Sequence, residues 1–129
     1  MNSKRVREEQ GLTSTELAVL MPVLIALVLV PFQVALWWHA HQIADAAARE
    51  AVDAAQVITA TEDDGMRAAE WFLDAAGNIV DAEVTVTRTA DTVSVDVTGR
   101  APRLVPGFDW RVTAYAAGPV ERFIPEPDR

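Results

Sequence analysis

The apolar residues of this chain are concentrated in one uninterrupted stretch near its start. Residues 17–38 read LAVLMPVLIALVLVPFQVALWW, with Gln33 as the one polar side chain. At about 1.5 Å per residue these residues form a helix of about 33 Å, enough to cross a hydrocarbon core of about 30 Å. Trp37 and Trp38 close the stretch, where a membrane protein carries its aromatic belt. The pattern therefore predicts a membrane-spanning helix, interrupted at Pro22 and Pro31.

A helical period continues beyond the apolar stretch, over residues 39 to about 60. Small or aliphatic side chains recur there every three or four positions, at Ile43, Ala47, Ala51, Ala54 and Ile58. We expect a stalk helix whose narrow face packs either on helices of neighbouring subunits or on the sheet of its own chain. A second, short helix should follow, capped by Asp63 or Asp64 and ended by Gly77.

From Ile79 onward the apolar period changes from helical spacing to strict alternation. The alternating apolar positions are Val80, Ala82, Val84 and Val86, then Val93, Val95 and Val97, then Trp110, Val112, Ala114 and Ala116. Such alternation predicts three antiparallel strands with one buried and one solvated face. The predicted fold class is therefore α+β: a long membrane-spanning helix continuing into a stalk helix, a short helix, and a small three-stranded sheet.

Charge is distributed unevenly along the chain. The net charge is -8, and the residues after Trp38 hold eight arginines against sixteen acids. An acidic domain repels phosphates, so nucleic acid is excluded as a partner. Lys4, Arg5 and Arg7 precede the apolar stretch, which predicts a cytoplasmic N-terminus and an extracytoplasmic C-terminal domain.

Enzymatic chemistry finds little support in the sequence. Cysteine is absent, which excludes thiol nucleophiles and cysteine metal sites. His39 and His41 are two residues apart and would not face one site on a helix, and the acids at residues 62–64 lack the alternating spacing of a calcium loop. We expect no enzymatic activity, no metal and no cofactor.

A group of residues with characteristic spacing lies at the start of the apolar stretch: Gly11, Glu16, Ala18 and Pro22. A carboxylate at the edge of a membrane helix is unfavourable, which makes Glu16 a functional candidate. Its structural alternatives are a place among the lipid head groups, or a capping box with Thr13.

This spacing resembles the prepilin-type leaders of type IV pilin-like proteins, and in particular the TadE-like family of tight-adherence pilus assembly. The family signature is Glu-x-Ala-x-x-x-Pro followed by an aliphatic run, and residues 16–22 read ELAVLMP. The resemblance implies that a prepilin peptidase cuts between Gly11 and Leu12. It also implies that Glu16 pairs with the new N-terminal amine of a neighbouring subunit, while Ala18 and Pro22 belong to the family motif in the membrane helix.

The function implied by this resemblance is that of a minor pseudopilin of a tight-adherence (Flp-type) pilus assembly and secretion system. Major pilins of that system are much shorter, which favours a minor role. The implied partners are the prepilin peptidase, other pilin-like subunits and the inner-membrane assembly platform. The implied location is the cytoplasmic membrane, single-pass, either at the base of a surface pilus or within it.

These predictions divide the chain into four parts: a leader at residues 1–11, a membrane and assembly helix at 12–38, an extracytoplasmic domain at 39–118, and an extended proline-rich tail at 119–129. Two alternatives remain open at this point. The protein could be a signal-anchored membrane protein whose outer domain binds a ligand or another protein. It could also be a secreted enzyme, released by signal peptidase after Ala46 in the sequence Ala44-Asp45-Ala46.

Overall fold

The computed structural model describes the backbone of residues 3–122 and the side-chain surroundings of residues 14–122. The elements are α1 (Ser3–Ala55), α2 (Glu62–Ala76), β1 (Val80–Arg88), β2 (Thr92–Arg100) and β3 (Arg111–Pro119). This order confirms the predicted α+β fold, with its long helix, short helix and three-stranded antiparallel sheet. The end of the predicted tail, residues 123–129, lies outside the described residues.

Helix α1 is a single rod of 53 residues that continues through Pro22 and Pro31. At 1.5 Å per residue it is about 80 Å long. Its residues 14–32 are almost wholly exposed, whereas from Gln33 onward one face is buried. That buried face consists of Gln33, Ala40, Ile43, Ala44, Ala47, Ala48, Ala51, Val52 and Ala55.

The small side chains of α1 pack inside the chain. They face α2 and the sheet, so the face predicted to contact either neighbours or its own sheet is occupied by the chain's own elements. The helix also ends at Ala55, before the predicted residue 60, and Ile58 lies beyond it with 55% of its surface exposed. Short side chains allow this close packing because they keep the backbones near one another.

Helix α2 folds back along α1 after a short connection. Gly65 lies so close to α1 that a Cβ atom there would be 2.9 Å from the Ala51 carbonyl oxygen and 2.9 Å from Ala55 Cβ. The N-cap is Thr61, not Asp63 or Asp64 as predicted. Its backbone N–H and its hydroxyl both donate to the Asp64 carboxylate at 2.8 Å, and these bonds lower the pKa of Asp64. Gly77 ends the helix as predicted.

Strand β2 is the centre of the sheet, in the order β1-β2-β3. Val93, Val95 and Val97 on β2 are fully buried, and the alternation predicted for β2 and β3 is confirmed. In β1 the prediction is wrong at Val80, which is 48% exposed, and at Ala82, which is also exposed, because a register shift between Val80 and Glu83 interrupts the pairing. Ile79 instead packs over Gly99, where a Cβ would meet its side chain at 2.5 Å.

Arg88, at the end of β1, closes the C-terminus of α1. Its Nε donates to the carbonyl of Ala55 at 2.9 Å, and its Nη2 donates to the carbonyls of Val57 and Ile58. The Arg88 backbone N–H donates to Glu62 Oε1 at 2.7 Å. A positive side chain here satisfies carbonyls that have no helical donor and complements the negative end of the helix dipole.

The other end of the domain is attached to α1 through Gln33 and Trp37. The Gln33 side chain is fully buried; its Nε2 donates to the Pro102 carbonyl at 3.0 Å. Gln33 Oε1 accepts from the backbone N–H groups of Leu104 at 2.6 Å and Val105 at 3.1 Å. One turn later, Trp37 Nε1 donates to the Arg111 carbonyl at 3.0 Å.

These contacts fix how the sheet lies on the helix. Strand β3 starts beside Trp37, and Gly118 near its end lies against Val52 and Gln56. The strand therefore runs along α1 in the same direction as the helix. The loop between β2 and β3, residues 101–110, consequently lies at the end of the domain nearest the exposed part of α1.

We expect Gly65→Ala to destabilise the domain although alanine favours a helix over glycine by about 1 kcal/mol. The new methyl group would overlap a backbone oxygen and a Cβ, neither of which can rotate away. The net loss should be about 1–3 kcal/mol, measured by denaturant unfolding of the full chain in detergent micelles. Glu70→Ala, at an exposed position of the same helix, is the control. A Gly65→Ala variant as stable as the parent would contradict the close approach.

Gln33→Leu should detach the 101–110 loop from α1. The change keeps the side-chain bulk but leaves the N–H groups of Leu104 and Val105 without their acceptor, at a cost of about 1–3 kcal/mol. Hydrogen exchange in lipid nanodiscs should show faster exchange at those two amides. Gln42→Leu makes the same chemical change at an exposed position of α1 and should leave both amides unchanged. Equal exchange in the two variants would argue against the Gln33 bonds.

Candidate membrane and assembly site

The exposed part of α1 is an apolar surface that the described residues of this chain leave uncovered. Within residues 14–122, one helix is long and apolar enough to cross a membrane, the span Ser14–Ala55, and only 6% of its most apolar window is buried. Val19 and Leu27, for example, are 70% and 69% exposed. The core helix of a soluble domain would be covered by its own chain, so this surface needs lipid or other helices around it.

The length of the uncovered segment matches a bilayer. Residues 14–32 extend for about 28 Å at helical rise, close to the hydrocarbon thickness of about 30 Å. The folded domain begins to contact α1 at Gln33. Trp37, placed by the sequence pattern in an aromatic belt, is half-buried in the domain and stacks on His41 with ring centroids 5.8 Å apart.

Glu16 lies at the far end of that segment from the domain. Its side chain is exposed, and the residues that follow it up to Phe32 carry no charge. Glu16 lies seventeen positions before Gln33, which is about 25 Å along the helix. This length is about 5 Å less than a hydrocarbon core of about 30 Å, so when Gln33 lies at one edge of that layer, the Glu16 carboxylate lies near the opposite edge. Within the described side chains, no ion pair involves Glu16.

Ala18 and Pro22 are one helical turn apart on the exposed surface, two and six residues after Glu16. A proline has no N–H, and in a helix its ring lies against the carbonyl four residues earlier. In α1 that carbonyl belongs to Ala18, which therefore loses its usual helical donor. The motif thus creates a polar backbone atom on the membrane surface of the helix, beside a side chain small enough for another helix to approach.

Gly11 and Leu12, the predicted cleavage site, belong to α1 by their backbone. Their side-chain surroundings lie outside the described residues, so the geometry of the predicted cut stays a prediction. Leu12 and Glu16 are four residues apart. On a helix this spacing places them one turn apart on the same face.

Gln33 is the residue of this region that the sequence pattern left without a role. Its one signal was its position as the single polar side chain of the apolar stretch. A buried amide requires hydrogen-bond partners, so that exception already pointed to a contact. The partners themselves, 69 to 72 residues away, could be known only from the fold.

The other polar residues considered as candidates are exposed or make contacts within the domain. Among the described residues, no three His, Cys, Asp or Glu side chains come together in a way that could hold a metal. His39 is exposed, and His41 stacks on Trp37. In the acidic segment 62–64, Glu62 accepts from the Arg88 backbone and Asp64 accepts from Thr61.

Part of α1 is similar to a known protein family. Residues 11–53 match the family model described as TadE-like protein. No curated protein and no solved structure matches significantly. The matched residues include Gly11, Glu16, Ala18, Pro22 and the part of α1 that packs on the domain. The predicted resemblance to the TadE-like family is therefore confirmed over residues 11–53, about a third of the chain.

Proposed function

We propose that this protein is a minor pseudopilin of a tight-adherence (Flp-type) pilus system, cleaved after Gly11 and assembled through its N-terminal helix. The TadE-like match supports the pilus association. The single observation that carries the proposal is the arrangement of α1. A bilayer-length apolar surface has Glu16 at one end and a docked domain at the other, as a subunit held in the membrane before assembly requires.

Glu16 is the proposed assembly determinant. Cleavage would create an α-amine at Leu12, with a reference pKa of about 7.7–8.0 and therefore largely protonated at neutral pH. A neighbouring subunit brings its own amine to the Glu16 carboxylate, and in a low-dielectric environment the ion pair is much stronger than in water. A subunit shifted along its neighbour leaves both charges unpaired in lipid, which is strongly unfavourable. The pair therefore sets the register between subunits.

The exposed helix surface supplies the area for such packing. Ala18 contributes a small exposed side chain beside its own carbonyl, and the domain uses a different part of α1, from Gln33 to Ala55. Assembly through residues 12–32 consequently does not compete with folding of the domain. The proposed partners are other pilin-like subunits, the prepilin peptidase and the inner-membrane assembly platform, with the domain on the extracytoplasmic side.

Packing of α1 disfavours release of a secreted enzyme after Ala46. Ala44, Ala47 and Ala48 are buried in the core of the domain, in the middle of a continuous helix. A cut there would remove Gln33, Trp37 and Ala40 from the fold, together with the contacts that attach the 101–110 loop.

Processing is tested by the mass of the protein isolated from its native membrane. We expect the chain to begin at Leu12, and Gly11→Ala to leave most of it uncut, because the peptidase needs a residue without a side chain at the scissile bond. Ser3→Ala, a change of similar size in the leader, should be processed normally. A parent chain that retains its first eleven residues while the peptidase is active would support the signal-anchored alternative, and a chain that begins at Ala47 would support secretion.

Assembly is tested by Glu16→Gln, which keeps the shape of the side chain and removes its charge. We expect normal cleavage and a loss of most of the pilus-associated protein, measured by quantitative immunoblotting of sheared surface fractions. Glu50→Gln makes the same change at an exposed position of α1 within the domain and should assemble normally. Normal pili in Glu16→Gln cells would refute the pairing mechanism while leaving the similarity to the TadE-like family unaffected.

A further inference from the structure

The loop between β2 and β3 has a composition unlike the rest of the domain. Residues 101–110 read APRLVPGFDW, and several of its large apolar side chains are uncovered. Leu104 is 49% exposed and Phe108 is 65% exposed, while Val105 and Trp110 are half-buried. The chain turns between Val105 and Phe108 at Pro106-Gly107, where Gly107 has a φ of 96°.

This apolar loop lies at the same height along α1 as the end of its exposed segment, residues 14–32. The Leu104 and Val105 N–H groups are bonded to Gln33, the residue directly after the exposed segment 14–32. Exposed aromatic side chains of α1, Phe32 and Trp38, flank the same level. The loop is thus continuous with the membrane surface of the helix.

The charge of this region also differs from that of the domain. Residues 100–111 contain three arginines (Arg100, Arg103, Arg111) and one acid, Asp109, a local charge of +2 in a chain of net charge -8. Asp109 is within 3.4 Å of Arg100 and 3.5 Å of Arg111, and Asp81 of β1 is 3.1 Å from Arg100, which lowers the local charge to +1. The excess positive charge beside an apolar tip is an arrangement that attracts anionic head groups.

We propose that residues 104–108 insert into the outer interfacial layer of the same bilayer that α1 crosses. The partner is the lipid itself: apolar side chains enter the boundary between head groups and acyl chains, and the arginines remain among the phosphates. Phe108 and Trp110, with ring centroids 6.1 Å apart, supply the aromatic pair that such a boundary favours.

Gln33 has a defined part in this insertion. Backbone polar groups that enter an apolar layer need partners, because lipid tails offer none. The Gln33 amide forms hydrogen bonds with three backbone polar groups of the loop: the Pro102 carbonyl and the N–H groups of Leu104 and Val105. The buried amide therefore lets this side of the loop approach the lipid with three of its backbone groups bonded.

The test uses the full chain, in which every label site is unique because cysteine is absent. Nitroxide labels are placed at Phe108→Cys and, as a second site, Leu104→Cys, in vesicles of phosphatidylcholine and phosphatidylglycerol. Tyr115→Cys on β3, 65% exposed, is the control in water, and Leu27→Cys is the control in lipid. Accessibility to oxygen, which partitions into lipid, and to a water-soluble nickel chelate is measured by power saturation.

We expect the labels at positions 104 and 108 to be reached by the nickel chelate at least about threefold less than the label at 115, and by oxygen more. Equal chelate accessibility at 108 and 115 would overturn the insertion. Protection from both reagents that disappears when the chains are diluted with additional lipid would overturn it too, by identifying a second copy as the cover.

The inference rests on the membrane helix and not on cleavage or pilus assembly. A lipid-exposed label at position 27 with a water-exposed label at 108 would reject the loop insertion alone. A water-exposed label at 27 would reject the spanning helix and the loop insertion together. Neither result depends on Gly11 or Glu16.

Discussion

The buried amide of Gln33 determines how this protein is arranged around its helix. A polar side chain inside an apolar stretch is tolerated only when its hydrogen bonds are made, and here all three are made to one loop of the domain. The bonds set the height of the sheet on α1. That height in turn decides which residues of the helix are left for the membrane and which belong to the core.

The exposed apolar surface of α1 and the face that packs on the domain therefore lie in different parts of the helix. Toward the N-terminus, α1 presents large aliphatic side chains to the outside, and toward the C-terminus it presents alanines to the sheet and to α2. Large side chains suit lipid, and small ones allow the tight approach seen at Gly65. The opposite end of the domain is fastened by Arg88, which holds the last carbonyls of α1.

Much of this fold was predictable because its periods are simple. Strict alternation in residues 93–97 and 112–116 produced the correct sheet, and a single apolar stretch produced the correct long helix, which is long and apolar enough to cross a membrane. The failures have local causes. Val80 obeyed the alternation but lies at a shift in register, and Thr61 took the cap because its N–H and hydroxyl both reach Asp64.

The candidate site also contains residues that the sequence could identify and contacts that it could not. Glu16, Ala18 and Pro22 could be selected from their spacing, since the motif is contiguous in sequence. The partners of Gln33 could not, because they are about seventy residues away. The partner proposed for Glu16 belongs to another molecule, so neither the sequence nor the structure of one chain contains it.

The continuity of α1 also affects how the domain moves when the helix tilts. Twenty-two residues, about 33 Å, separate Gln33 from Ala55, and no linker lies between the spanning segment and the domain. A lean of the spanning segment by about 20°, ordinary for a membrane helix, would displace the tip at Ala55 sideways by about 11 Å. Because the helix is continuous, a tilt of the spanning segment moves the domain with it.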